Sequence, residues 1–86
     1  MTEYRYIIVG NNEELRIIEN AINTHFLRYY KAIPERINSN STSVTFSVQL
    51  FLLWGESFEK VLNAALYRGL KNSGLMNSDS WIVDTL

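Results

Sequence analysis

Residues 43–54 read SVTFSVQLFLLW, and this stretch decides how the rest of the chain can be arranged. Apolar and polar side chains alternate from Val44 to Leu50, which is the period of a β-strand with one buried face and one solvated face. From Leu50 to Trp54 every residue is apolar, so both faces of this far end are expected to be covered. The sequence therefore predicts one strand of about twelve residues over 43–54.

The strongest helical pattern lies upstream of this strand. Asn11 is the predicted N-cap, with Glu14 as its capping-box partner. Pro34 disfavours helical geometry at the residue before it, so the helix is predicted to end at about Ala32. Apolar residues between these points recur at alternating intervals of three and four, which gathers them on one helical face. They are Leu15, Ile18, Ile22, Phe26, Tyr29 and Ile33.

Weaker signals supply the remaining elements. The run Tyr4 to Val9 is aromatic and β-branched and ends at Gly10, which predicts a first strand. A second amphipathic helix is predicted from Phe58 until it fades near Ser73. Residues 81–83 predict a short strand near the C-terminus.

These elements predict an α/β (α+β) fold, a small two-layer sandwich in the order β-α-β-α-(β). Two or three strands are expected, with both helices packed on one face. Residues 34–43 are predicted to be a polar loop, because serine, asparagine and threonine side chains compete for backbone hydrogen bonds. At 86 residues the chain is one domain, 1–86. The pattern leaves open whether the strands pair parallel or antiparallel.

Composition and charge exclude several classes of protein. Hydrophobic residues make up 47% and charged residues 20%, which is typical of a folded globular chain. A net charge of −1 excludes both a strongly cationic nucleic-acid binder and a polyanionic mimic. With no cysteine there is no disulfide framework and no thiolate metal site, so a cytoplasmic location is expected. No secretory signal opens the sequence, and its longest apolar run is too short to span a membrane.

The sequence predicts no enzyme, no metal site and no cofactor. His25 is the only histidine and has no cysteine or paired carboxylate at metal-ligand spacing. The turn at Gly10 resembles a phosphate-binding turn but lacks the glycine-rich loop. Glutamate pairs fall in the first turns of both predicted helices, where they complement the helix dipole, so they are not read as acid–base pairs.

One basic and aromatic patch suggests nucleic-acid contact. Arg28, Tyr30, Lys31 and Arg36 interleave cations with aromatic rings, a combination that binds phosphates and stacks unpaired bases. The alternative is that Arg28 and Lys31 only complement the carbonyl end of the first helix, as Arg68 and Lys71 would in the second. A module that binds RNA or single-stranded nucleic acid is therefore the alternative function.

The leading hypothesis is a homodimer. The first strand has six residues and cannot pair the whole of a twelve-residue neighbour, which leaves an open edge for a second copy. Phe51, Leu53 and Trp54 are the predicted dimer interface. The alternative is that the second helix and the C-terminal segment cover these residues within one chain.

We expect a non-enzymatic binding protein that acts by protein–protein contact, as an inhibitor or adaptor. Tyr30, Tyr67 and Trp81 are the predicted anchors for an unidentified protein partner. Nine asparagines and eight isoleucines in a small cysteine-free chain are typical of virus-encoded accessory proteins. Such a protein would act in host takeover or against host defence, in the host cell cytoplasm.

Overall fold

A four-stranded antiparallel sheet is covered on one face by two helices in a computed structural model that describes residues 1–86. The strands are β1 (Thr2–Val9), β2 (Glu35–Ser39), β3 (Ser43–Leu50) and β4 (Ile82–Thr85), and the helices are α1 (Asn12–Tyr30) and α2 (Phe58–Leu70). The strand order is β2-β3-β1-β4. Together with the chain order β-α-β-β-α-β, this is the split βαβ, or ferredoxin-like, topology. The predicted two-layer α+β sandwich is confirmed.

The number of strands was predicted wrongly, because β2 lies inside the stretch 34–43 expected to be a loop. All five of its residues are exposed, so no apolar alternation marks it as a strand. It forms a hairpin with β3, in which the side-chain oxygen of Asn40 accepts from the backbone N–H groups of Thr42 and Ser43, both at 2.9 Å. An edge strand needs only one paired side, so a polar sequence suffices.

The predicted twelve-residue strand is also wrong, because β3 ends at Leu50. Leu50 pairs with Thr2, the first residue of β1, so β1 offers no partner beyond Leu50. On the other side, β2 pairs through Glu35 to Ser39 with Val44 to Ser47 of β3. Strand β3 therefore lies inside the sheet, and the open edge on which the dimer hypothesis partly depended is reduced to Val48 to Leu50 on the side of β2.

Helix α1 begins as predicted and ends earlier than predicted. Asn11 accepts from the backbone N–H of Glu14 at 2.8 Å, and the Glu14 carboxylate accepts from the backbone N–H of Asn11 at 2.9 Å. Lys31 adopts the left-handed conformation, with φ of 54°, and the N–H of Ala32 donates to Phe26 O at 3.2 Å. This turn ends the helix at Tyr30, two residues before the predicted end.

The core lies between the sheet and the helices. Tyr6 and Ile8 of β1 and Phe46 of β3 are fully buried and point toward Phe26 of α1 and Phe58 of α2. Strand β4 pairs with β1 over Ile82 to Thr85, slightly later than the predicted 81–83. The predicted apolar faces of both helices supply the core, in α1 as far as Phe26. Beyond Phe26, Tyr29 of α1 is half exposed, and Ile33 lies past the end of the helix and is exposed.

Glu14 connects the start of α1 to the C-terminal segment and should make the fold acid-sensitive. Its carboxylate accepts hydrogen bonds from the Ser80 hydroxyl and the backbone of Asn11, which together lower the pKa of this carboxyl below 4.5. A carboxyl group whose pKa is lower in the folded state stabilises the fold at pH values above its unfolded-state pKa. This stabilisation is lost as the pH falls through the folded-state pKa. We expect urea unfolding of Glu14→Gln to depend less on pH below 4.5 than that of the wild type.

Glu13→Gln is the matched control for this prediction. Glu13 lies in the same first turn, is exposed and makes no side-chain hydrogen bond. It should retain the wild-type loss of stability at acidic pH. Equal pH dependence of the wild type and Glu14→Gln would contradict a role for the Glu14 carboxylate in holding the C-terminal segment.

Candidate functional site: an apolar end of the sheet

One end of the molecule carries five of its twelve large exposed hydrophobic side chains. At this end β1 begins, β3 stops and α1 terminates, as the pairing of Thr2 with Leu50 shows. The exposed residues here, which we call the end patch, are Met1, Ile33, Phe51, Leu53 and Trp54. A monomeric soluble protein seldom exposes apolar groups in a cluster unless they serve an interaction.

Trp54 is fully exposed, and an ordered turn fixes its position in the chain. The N–H of Glu56 donates to Leu53 O at 3.0 Å, which closes a four-residue turn with Trp54 and Gly55 at its centre. Gly55 has φ of 90°, the left-handed value that a type II turn requires at its third position. Trp54 therefore projects from a defined backbone.

The carboxylate of Glu56 braces this turn from two sides. It accepts from the backbone N–H of Leu53 at 2.7 Å and from the hydroxyl of Tyr30, at the end of α1, at 3.1 Å. Burial and the hydrogen bond to Glu56 raise the pKa of Tyr30, so its hydroxyl stays protonated and keeps donating. The turn that carries Trp54 is thereby tied to α1.

Next to this turn is a cleft of about 640 Å³. Met1, Ile33 and Phe51 of the end patch line it. Lys31 and Glu35 also line the cleft, and neither makes an ion pair within the chain. Glu3, Ser47 and Gln49 add to a lining of mixed polar and apolar character. The end of the molecule thus combines a projecting ring, a mixed cleft and unpaired charges of both signs.

The predicted dimer interface falls within this end patch. Phe51, Leu53 and Trp54 all remain exposed, so neither α2 nor the C-terminal segment covers them within the chain. Sequence reasoning missed Met1, and it assigned Ile33 to the buried face of α1. The αL turn at Lys31 redirects the chain, and this turn is what brings Ile33 to the cleft.

The three predicted anchors for a protein partner occupy separate places. Tyr67 is 63% exposed on α2. Tyr30 is partly buried against the core and is engaged by Glu56. Trp81 is also partly buried, and its indole N–H donates to Leu75 O at 2.8 Å. Of the three rings, Tyr67 has the most accessible face.

The predicted nucleic-acid patch is divided by the fold. Arg36 forms an ion pair with Glu19 of α1 and so has a partner within the chain. Lys31 lines the end-patch cleft. Arg28 lines a separate groove between the two helices, together with Arg68. The structure does not bring Arg28, Tyr30, Lys31 and Arg36 together on one surface.

Other kinds of site find little support in the structure. No three metal-ligating side chains lie together. Neither helix has both the length and the apolar character that crossing a bilayer requires. No protein-family model and no curated protein matches the chain. The fold defines the class, a small α+β protein of split βαβ topology, and a fold alone does not assign function.

Proposed function

We propose that this chain is a non-enzymatic binding protein that acts by protein–protein contact and pairs with a second copy through the end patch. The observation that carries the proposal is the fully exposed Trp54 on an ordered turn beside a cleft that Met1, Ile33 and Phe51 help to line. Tryptophan is among the residues most enriched at the energetic centres of protein interfaces, especially where it enters a pocket on the partner.

The ordered turn favours binding because it lowers the conformational entropy lost on association. Immobilising a flexible side chain or loop at an interface costs about 0.5–1.5 kcal/mol per side chain. Glu56 already holds the backbone on both sides of Trp54 through its contacts with Leu53 and Tyr30. Less of the binding free energy is therefore spent on ordering this segment.

A second copy is the partner proposed for this surface because the surface carries both a projecting ring and a cleft. In a two-fold dimer, each copy contributes the same patch, so a projecting group must lie near a hollow that can receive its counterpart. The end patch provides both, in Trp54 and the cleft lined by Ile33 and Phe51. Lys31 of one copy would also lie close to Glu35 of the other, and this contact would pair two charges that have no partner within the chain.

The dimer proposed here differs in geometry from one formed by sheet extension. Strand β3 is paired on both sides over Val44 to Ser47, and the association proposed here uses side chains beyond its end. The exposed ring of Tyr67 on α2 lies outside the end patch and is the surface we propose for an unidentified protein partner. An inhibitor or adaptor in the cytoplasm remains the proposed role.

Multi-angle light scattering over a range of micromolar concentrations tests the dimer. We expect the wild type to have twice the mass of one chain. Trp54→Ser should have the mass of one chain, because it removes the largest group that would enter the opposing cleft. Tyr67→Ser is the matched control, since it replaces another exposed aromatic residue outside the patch and should remain dimeric.

Two results would count against the proposal. A wild type with the mass of one chain at every concentration would exclude the homodimer. A dimer that persists in Trp54→Ser and is lost in Tyr67→Ser would place the interface on α2.

A further inference from the structure

The groove between α1 and α2 contains an unusual set of side chains. Its volume is about 230 Å³. Arg28 and His25 enter it from α1, and Arg68 enters it from α2. No carboxylate lines it; the remaining lining residues are Asn20, Ala21, Thr24, Tyr29 and Gly69. Two cations and a histidine thus share a small polar groove without a counter-charge.

Neither arginine has an acidic partner. The two ion pairs of the protein join Arg5 to Glu3 and Arg36 to Glu19. Arg28 makes no side-chain hydrogen bond, and it is exposed at the mouth of the groove. Guanidinium groups recognise phosphate and carboxylate oxygens through parallel N–H donors, so an unpaired arginine pair is a receptor for an oxyanion.

The helix dipole explains Arg68 poorly. Arg68 lies in the last turn of α2, where a cation would ordinarily interact with the terminal carbonyl groups. Its side chain instead contacts α1, where Nη1 donates to the Tyr29 hydroxyl at 2.8 Å and the guanidinium lies 5.0 Å from the centre of the Tyr29 ring. Tyr29 therefore holds Arg68 in the groove.

His25 provides a third donor inside the groove. Its exposed fraction is only 9%, and its ring makes no hydrogen bond within the chain. Burial and the charge of Arg68 lower the pKa of His25. The ionisable groups facing it are Arg28, Tyr29 and Tyr30 of α1 and Arg68 of α2, and none of them is acidic.

We propose that this interhelical groove binds a phosphate group, which the guanidinium groups of Arg28 and Arg68 hold and the His25 imidazole completes. The hydroxyl of Thr24 and the amide of Asn20 supply further polar contacts at the rim. Free phosphorylated small molecules and the backbone of a nucleic acid both carry this group. The site does not depend on the end patch or on dimerisation.

His25 is also a direct reporter of binding, because it is the only histidine in the chain. We expect inorganic phosphate to cause a saturable shift of the His25 ring resonances in NMR spectra, relative to sodium chloride at the same ionic strength. The bound anion favours the protonated imidazole, so phosphate should also raise the pH at which His25 titrates.

Three single variants test the assignment. Arg28→Gln and Arg68→Gln should each weaken phosphate binding about tenfold or more, since each removes charge-assisted hydrogen bonds. Arg28→Gln is the cleaner of the two, because its side chain has no structural contact to lose. Lys71→Gln removes the same charge next to the end of α2 but outside the groove, and should bind as the wild type does.

A second arm identifies the source of the phosphate. A short single-stranded RNA that shifts His25 at lower concentration than inorganic phosphate, with the same loss in Arg28→Gln, would assign the site to a nucleic-acid backbone. Binding of inorganic phosphate without RNA binding would assign it to a small phosphorylated molecule. The proposal is overturned if phosphate shifts His25 no more than chloride does, or if Lys71→Gln weakens binding as much as the arginine variants.

Discussion

Replacing Phe26 by alanine is expected to destabilise the protein by about 3–5 kcal/mol, the usual range for truncating a buried phenylalanine. Phe26 has no exposed surface, and its ring lies 6.3 Å from Tyr6 and 6.2 Å from both Phe58 and Tyr30, measured between ring centroids. It therefore contacts the sheet, both helices and Tyr30, whose hydroxyl donates to Glu56 of the Trp54 turn. A domain typically has a total stability on the order of 5–15 kcal/mol, so the variant should lose a large fraction of it.

Urea unfolding monitored by tryptophan fluorescence provides the measurement, with the partly buried Trp81 as a reporter of the folded state. Leu27→Ala is the matched control, because Leu27 follows Phe26 on α1 but is 53% exposed. It should lose much less stability, on the order of 1 kcal/mol or less. Equal losses in the two variants would mean that Phe26 is not at the centre of the core.

The second large effect is expected at Gly69, where alanine should destabilise the fold instead of stabilising it. Alanine ordinarily improves a helix by about 0.5–1 kcal/mol relative to glycine. Here an added methyl group would lie 2.4 Å from Cβ and 3.1 Å from Cα of Ala21, so the two helices would have to separate. Overpacking of this kind costs about 1–3 kcal/mol, which outweighs the gain in helix propensity.

Exchanging the two side chains provides the control. In Ala21→Gly combined with Gly69→Ala, one methyl group remains between the helices, and the intrinsic helix preferences nearly cancel. Thermal unfolding of this double variant should lie much closer to the wild type than that of Gly69→Ala alone. A single variant that is as stable as the wild type would show that α1 and α2 are not in close contact at this point.

The elements that sequence reasoning placed well are those whose signals are local. The capping box at Asn11 and Glu14 depends on residues three positions apart, and the apolar periodicity of α1 depends on the geometry of one helix. The alternation from Val44 to Leu50 identified the buried face of β3 in the same way. Strand β2 was not predicted because an exposed edge strand requires no apolar pattern.

The candidate sites were only partly predictable, because they depend on which separate segments meet. Phe51, Leu53 and Trp54 were identified from their bulk and apolar character. The neighbouring cleft could not be predicted in this way, since it forms only when the turn at Lys31 brings Ile33 close to Phe51. The placement of Arg28 and Arg68 in one groove likewise could not be predicted from the sequence pattern. Forty positions separate the two residues, and each was interpreted as a cation that complements the end of its own helix.

The sequence by itself determined where the helices begin, which of their faces are apolar and which face of the central strand is buried. These properties follow from local effects. Side chains act on the backbone nearest to them, and apolar and polar residues alternate with a fixed period over a short stretch. Only the tertiary structure decided that β3 has a neighbour on each side, that Phe51, Leu53 and Trp54 are exposed beyond the end of the sheet, and that two arginines share one groove. Such outcomes depend on how segments distant in the chain pack together, and packing is decided by the shape and volume of the whole core.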